Sequence, residues 1–210
     1  MRAGIFLIAM AVASSLQAQE HADRGVSGGG TLPAGWAART DRGTGMDDVR
    51  LEETSDGLKL TLGPRVIVYR EQDVTGGDFS VSATFDQLAQ FVHAEAYGLF
   101  IGGRDLQGSD QVYLYFLIRG TGDVLVKRRL GNRTANVGPG WAASDAVDRA
   151  DDQGRSTNTL EVSVTGGTVS FRVNGTEVFS QSAEGLDTDG IVGIRANHNL
   201  DLVIREFTIR

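Results

Sequence analysis

The feature that most constrains this chain is a succession of short segments in which apolar residues recur at every second position. Leu58, Leu60 and Leu62 alternate with Lys59 and Thr61, and Phe79, Val81, Ala83 and Phe85 alternate with Ser80, Ser82 and Thr84. Alternation of that kind puts apolar side chains on one face of a strand and polar ones on the other. Comparable patterns follow at 66–69, 97–101, 111–119, 124–129, 159–164, 169–173, 178–180, 190–196 and 202–209, with almost no helical periodicity between them. Many short strands joined by tight turns imply a sandwich or a closed barrel. The turns carry their own chemistry: Gly166-Gly167 and Asn174-Gly175 stand at two-residue hairpin spacing, and Gly120-Thr121-Gly122-Asp123 joins two further strands.

The two ends of the chain read differently. Residues 1–18 hold Arg2, then the apolar run Ile5 to Val12, then small and polar residues to Ala18, the layout of a cleavable signal peptide. That run is far shorter than the roughly 20 residues of a membrane-spanning helix. The protein is therefore expected to be secreted or periplasmic, without membrane insertion once the leader is removed. Residues 19–31, with the run Gly28-Gly29-Gly30, read as a flexible spacer, and 32–210 as a single β-sandwich domain, expected to be a monomer. The chain contains no cysteine, so its core alone must hold the fold and thiol chemistry is excluded. A net charge of −7 disfavours nucleic acid and anionic membranes as partners.

The C-terminal part carries a resemblance. Asn158-x-Leu160-x-Val162, Val169-x-Phe171-x-Val173-Asn174-Gly175, Gly190-x-Val192-Gly193-Ile194-Arg195 and Phe207-x-Ile209 resemble the concanavalin A-like lectin/glucanase superfamily, and within it the 3-keto-disaccharide hydrolase-type domain. The resemblance implies an all-β jelly-roll sandwich of two curved antiparallel sheets, the concave one forming a glycan-binding groove. Glucanases of this superfamily carry an alternating acidic motif of the type Glu-x-Asp-x-x-Glu, and retaining hydrolysis needs two carboxylates about 5–5.5 Å apart. No segment here matches that motif; Asp187-x-Asp189 lies in a Gly-flanked turn.

Strand geometry then nominates a binding face. With Thr121-Gly122 as the turn, Arg119 faces Val124, Leu117 faces Val126 and Tyr115 faces Arg128. Val112, Leu114, Phe116, Ile118 and Leu125 would form the core side, and Tyr113, Tyr115, Leu117, Arg119, Val126 and Arg128 the polar one. Tyrosine rings stack on sugar faces and guanidinium groups bond hydroxyls in forked pairs. An ordinary wet sheet face is the competing reading. The neighbouring strand adds Phe100 and Arg104, and Arg195 and Asn197 flank the groove. Gly98 and Gly102 mark close approach, by a ligand or by another backbone. The segment 132–156, which contains Trp141, is a lid-like loop or a solvated insertion.

For catalysis, His93 and Glu95 stand two apart and form the best general acid/base pair, to which His198 would add a third ligand of a conceivable metal site. No cofactor is required; a structural calcium on Asp187, Asp189 and Asp201 is a separate expectation, with oxygen donors in or near turns. There is no nucleophile elbow, phosphate loop, dinucleotide fingerprint or zincin helix. The expectation is an exported carbohydrate-binding domain. The alternatives are a glycoside hydrolase acting on (3-keto) disaccharides or glucosides, and a structural or protein-partner module of the cell envelope.

Overall fold

A computed structural model describes residues 22–43, 45–90 and 93–210, so the leader at 1–18 lies outside the described residues. In chain order the strands are β1 (Ala37–Thr40), β2 (Val49–Thr54), β3 (Gly57–Leu62), β4 (Val66–Thr75), β5 (Phe79–Gln90), β6 (Ala96–Arg104), β7 (Val112–Arg119), β8 (Asp123–Leu130), β9 (Arg133–Asn136), β10 (Ala142–Ala143), β11 (Ser156–Thr165), β12 (Thr168–Val173), β13 (Thr176–Ser182), β14 (Gly190–Ala196) and β15 (Leu200–Ile209). They form two antiparallel sheets. One has the order β1-β4-β14-β6-β7-β8-β10, with β9 also on β8; the other has β13-β12-β11-β5-β15-β3-β2.

The alternation seen in the sequence is what the sandwich buries. In β3, Leu58, Leu60 and Leu62 point inward, and in β11 Leu160, Val162 and Val164 do the same. They meet Leu99, Phe116 and Ile118 from the facing sheet in one apolar core, the large negative transfer free energy of which drives the fold. Both two-residue hairpins form where expected: Thr165 pairs Thr168 across Gly166-Gly167, and Val173 pairs Thr176 across Asn174-Gly175. All four turn residues have positive φ, the primed-turn geometry that suits the twist of paired strands.

Strands β6 and β7 depart from alternation because both of their faces are covered. Tyr97, Leu99 and Ile101 point into the main core, while Phe100, Tyr113, Tyr115 and Leu117 join a second cluster on the outer face with Ile67, Tyr69 and Leu106. The aromatic rings pack in a row, Tyr69 on Phe100 at 6.2 Å, Phe100 on Tyr113 at 5.3 Å and Tyr113 on Tyr115 at 5.5 Å between centroids. The turn after β6 closes over this row, with Leu106 buried and Gln107 Nε2 donating to Tyr69 Oη at 2.8 Å.

The turn between β7 and β8 differs by one residue from the expected one. Arg119 pairs with Asp123 across a three-residue loop, Gly120-Thr121-Gly122, so every side chain of β8 moves to the opposite face. Lys127 and Arg129, opposite Tyr115 and Tyr113, take the outer face together with Leu125, and Val126 and Arg128 turn to the other side.

The segment read as a flexible spacer is tied down over its described part. Arg24 donates to the Leu62 and Leu200 carbonyls and pairs with Asp201, and Gly30 N–H donates to the Val49 carbonyl. The segment 132–156 contributes β9 and β10 to the edge of the first sheet and packs Val147 into the core.

Candidate functional site

Antiparallel order brings the ends of β1, β14 and β7 and the starts of β4, β6 and β8 to the same end of the eight-stranded sheet. The residues that flank those strand ends therefore converge, although they are far apart in sequence. Asp41, Arg65, Glu95, Arg119, Asn197 and His198 all arrive there, and the edge strand β10 brings Trp141 beside them. Three adjoining cavities result. The widest, about 610 Å³, lies between Arg65, Glu95, Arg119, Trp141 and His198. A second, about 260 Å³, continues over the outer face of the sheet between Trp141, Tyr115, Lys127 and Arg195. A third, about 270 Å³, opens past Asp23, Arg42 and His198.

The floor is a buried ion network. Arg195 donates from Nη1 and Nη2 to the two oxygens of Asp41, both at 2.8 Å, a bidentate pair. Arg129 adds a third contact to Asp41 at 3.3 Å and anchors its own Nε on the Gly131 carbonyl at 2.6 Å. Burial pushes the Asp41 carboxyl up, but the Arg195 hydrogen bond and the charges of Arg195, Arg129 and Arg65 outweigh it and hold the group below its ordinary value. Arg195 lies 5.9 Å above the Tyr115 ring. Burial pushes the Tyr115 hydroxyl up to about 12, so it stays a neutral donor at physiological pH.

The wall holds the groups suited to acid/base work. His198 Nε2 stands 2.9 Å from Glu95 Oε1, and His198 Nδ1 lies 3.5 Å from Asp23. Burial raises the Glu95 carboxyl above its ordinary value, partly offset by the charges of His198, Arg65 and His93 and by a hydrogen bond from Asn197. Opposite this pair, Trp141 is 40 % exposed and carries the Arg119 guanidinium over its ring at 4.4 Å.

The residues singled out from the sequence separate into three groups. Glu95, Arg119, Trp141, Arg195, Asn197 and Tyr115 do come together at this cleft, and His93 stands exposed at its rim. The imidazole beside Glu95 is that of His198, because Asn197 and His198 leave β14 directly beside the start of β6. Phe100 and Tyr113 are in the right sheet but fully buried in the aromatic row, so they support the floor and cannot touch a ligand. Arg104 and Arg128 lie outside the cleft and share Asp187, Arg128 at 2.7 Å.

The three aspartates considered for calcium do not fit one ion. Asp187 is taken by those two arginines, Asp189 accepts from Gly77 N–H at 3.3 Å, and Asp201 lies in the other sheet, paired with Arg24. Among the described residues no group of three or more His, Asp or Glu is placed to hold a metal ion. Gly98 and Gly102 owe their identity to backbone contact: an added Cβ would stand 2.1 Å from the Phe116 carbonyl oxygen and 1.9 Å from that of Asp187, respectively.

Asp41, Arg65, Lys127 and Arg129 were missed in the sequence. Arg119 and Asp123 carried the signal for the last two, since opposite charges four apart around a Gly-Thr-Gly turn pair naturally across it and set the register of β8.

Two antiparallel sheets packed face to face, with a polar cleft at one end of the larger, define a concanavalin A-like jelly-roll sandwich. The solved structures it is similar to share this fold. A carbohydrate-binding module from Bacillus subtilis superposes with a TM-score of 0.62 at 11 % identity, covering 84 % of this chain and 95 % of that one. A Bacillus subtilis protein of unknown function with a galectin-like fold gives 0.60 at 14 % identity, over 83 % and 88 % of the two chains. A GH16 protein of a Bacteroides ovatus mixed linkage glucan PUL, in complex with a product, gives 0.53 at 9 % identity, over 86 % and 97 %. Neither a family model nor a curated protein matches the sequence.

Proposed function

We propose that this protein binds a glycan in the cleft at the end of the eight-stranded sheet, and that residues 1–18 export it to the periplasm or the medium where glycans are met. The observation that carries the reading is Trp141: a large indole, 40 % exposed, standing where the two cavities join and braced by Arg119. An exposed indole offers the flat apolar face on which a sugar ring stacks, and Arg65, Lys127, Asn197 and Glu95 surround it with donors and acceptors for hydroxyl groups. The fold is one that a carbohydrate-binding module and a GH16 protein also use.

The test is binding of the purified protein to a glycan array, followed by titration of the hits. Trp36 and Trp141 are the chain's two tryptophans, and Trp36 is placed away from the cleft, under Arg70. A ligand in the cleft is therefore expected to change the indole emission of the wild type and not that of Trp141→Phe. Trp141→Ala is expected to lose at least about tenfold in affinity, the stacking contribution of one aromatic ring. Glycan affinity unchanged in Trp141→Ala, or no hit on the array, refutes the reading.

A second reading, glycan cleavage, is favoured by the Glu95–His198 pair in the same cleft. A carboxyl raised by burial and set 2.9 Å from an imidazole is the kind of pair that can move a proton.

A further inference from the structure

Resting on the glycan-binding reading, we propose that the cleft is built for an acidic glycan, whose carboxylate or sulfate groups are held by Arg65 and Lys127. The part of the cleft over the sheet is lined by four cations, Arg65, Lys127, Arg129 and Arg195, against the single carboxylate of Asp41. Arg129 and Arg195 are buried and spent on that half-buried carboxylate. Arg65 and Lys127 are different: among the described residues neither side chain makes an ion pair or a hydrogen bond, yet both are half-buried and both line this cavity. Arg65 also borders the other two cavities.

The rest of the molecule shows how unusual this is. Acidic residues outnumber basic ones, 27 to 20, and the net charge is −7. Acidic partners are therefore plentiful, and Arg24, Arg42, Arg50, Arg70, Arg155 and Arg205 are each matched to one. Two half-buried cations with no direct ion pair or hydrogen bond on one cavity wall lose part of their hydration, and the protein returns only the longer-range attraction of Asp41 and Glu95 for Arg65. A ligand anion supplies what is missing: Arg65 offers a fork matched to the two oxygens of a carboxylate or sulfate, and Lys127 a compact charge. Set in a chain of net negative charge, the cations of this cavity also steer an anion into it.

The experiment is calorimetric titration of the full-length mature protein with three oligosaccharides of equal length: an oligouronate, the same oligouronate with its carboxyl groups reduced to alcohols, and a sulfated galactan fragment. The wild type is expected to bind at least one of the two anionic sugars about tenfold or more tightly than the reduced one, with affinity falling as salt is raised. Whichever anion binds more tightly identifies the acidic group. Arg65→Gln/Lys127→Gln is expected to lower the affinity for the anion to that of the reduced sugar, with an unchanged melting temperature showing that the fold is intact. Equal affinity of the wild type for charged and reduced sugars overturns the charge assignment and leaves glycan binding standing. Preferential binding of the anion that survives the double substitution overturns the roles of Arg65 and Lys127. Binding of none of the three overturns this proposal, and the glycan reading then rests on the array alone.

Discussion

Replacing Asp41 by Asn removes one negative charge and leaves the side-chain volume almost unchanged, so its cost isolates the electrostatic work of the cleft floor. Arg195 is 5 % exposed at its side chain, and its guanidinium is bonded to both Asp41 oxygens at 2.8 Å. An amide can accept only one of those bonds, and it leaves two guanidinium groups facing each other over no counter-charge. Removing one partner of a buried pair costs about 3–5 kcal/mol. The Asp41 side chain is 26 % exposed, and water will compensate part of that, so a loss of about 2–4 kcal/mol is expected for a partly solvated pair. In a domain of this size each kcal/mol lowers Tm by about 2–4 °C, so Tm should fall by about 4–16 °C.

The assay is urea denaturation of the wild type and Asp41→Asn across pH. The Asp41 carboxyl is held below its ordinary value of 3.8. A group lowered in the folded state contributes stability that is fully present above its unfolded-state value and is lost as pH falls through the folded one. The gap between the two proteins should therefore be full at neutral pH and close in acid, where the wild-type carboxyl is protonated. In the Asp41→Asn background, Arg195→Met should cost much less than it does alone, because the buried charge it removes is already unpaired. A neutral-pH loss below about 1 kcal/mol, or a gap that does not narrow in acid, would refute the argument.

Two further outcomes follow from single positions. Gly98→Ala should destabilise the domain by more than the usual cost of a surface change, about 2 kcal/mol or more, because the new Cβ meets the Phe116 carbonyl and the clash is with backbone; denaturation reads it directly, and a stable variant would show that β6 and β7 are not held this close. If the cleft cleaves glycans, His198→Ala and Glu95→Gln should each lower turnover by about 100-fold or more with smaller changes in KM, and shift the pH–rate profile; full turnover in both would dismiss the pair.

What the sequence could establish by itself was everything that depends on neighbours along the chain. Alternation at two-residue period is a local property, so Leu58, Leu60 and Leu62 announced an inward face without any knowledge of what they would meet. The same is true of Asn174-Gly175, whose positive φ angles make the turn whatever lies beyond it. The loop between β7 and β8 shows where local reading fails: Gly120, Thr121 and Gly122 allow a two- or three-residue turn, and the choice moved Arg128 off the cleft face and put Lys127 and Arg129 on it. Exposure was equally beyond reach. Phe100 and Tyr113 look like groove residues until the 105–110 turn and the rows of β4 and β7 close over them.

The site itself was decided by tertiary structure. Asp41, Arg65, Glu95, Arg119, Trp141 and His198 come from six separate stretches of chain, and only the strand order β1-β4-β14-β6-β7-β8-β10 sets their backbone ends side by side. Pairing of Glu95 with His198 and of Asp41 with Arg195 spans more than 100 residues in each case. No periodicity encodes such partners, because what brings them together is the pairing of strands distant in sequence within one sheet.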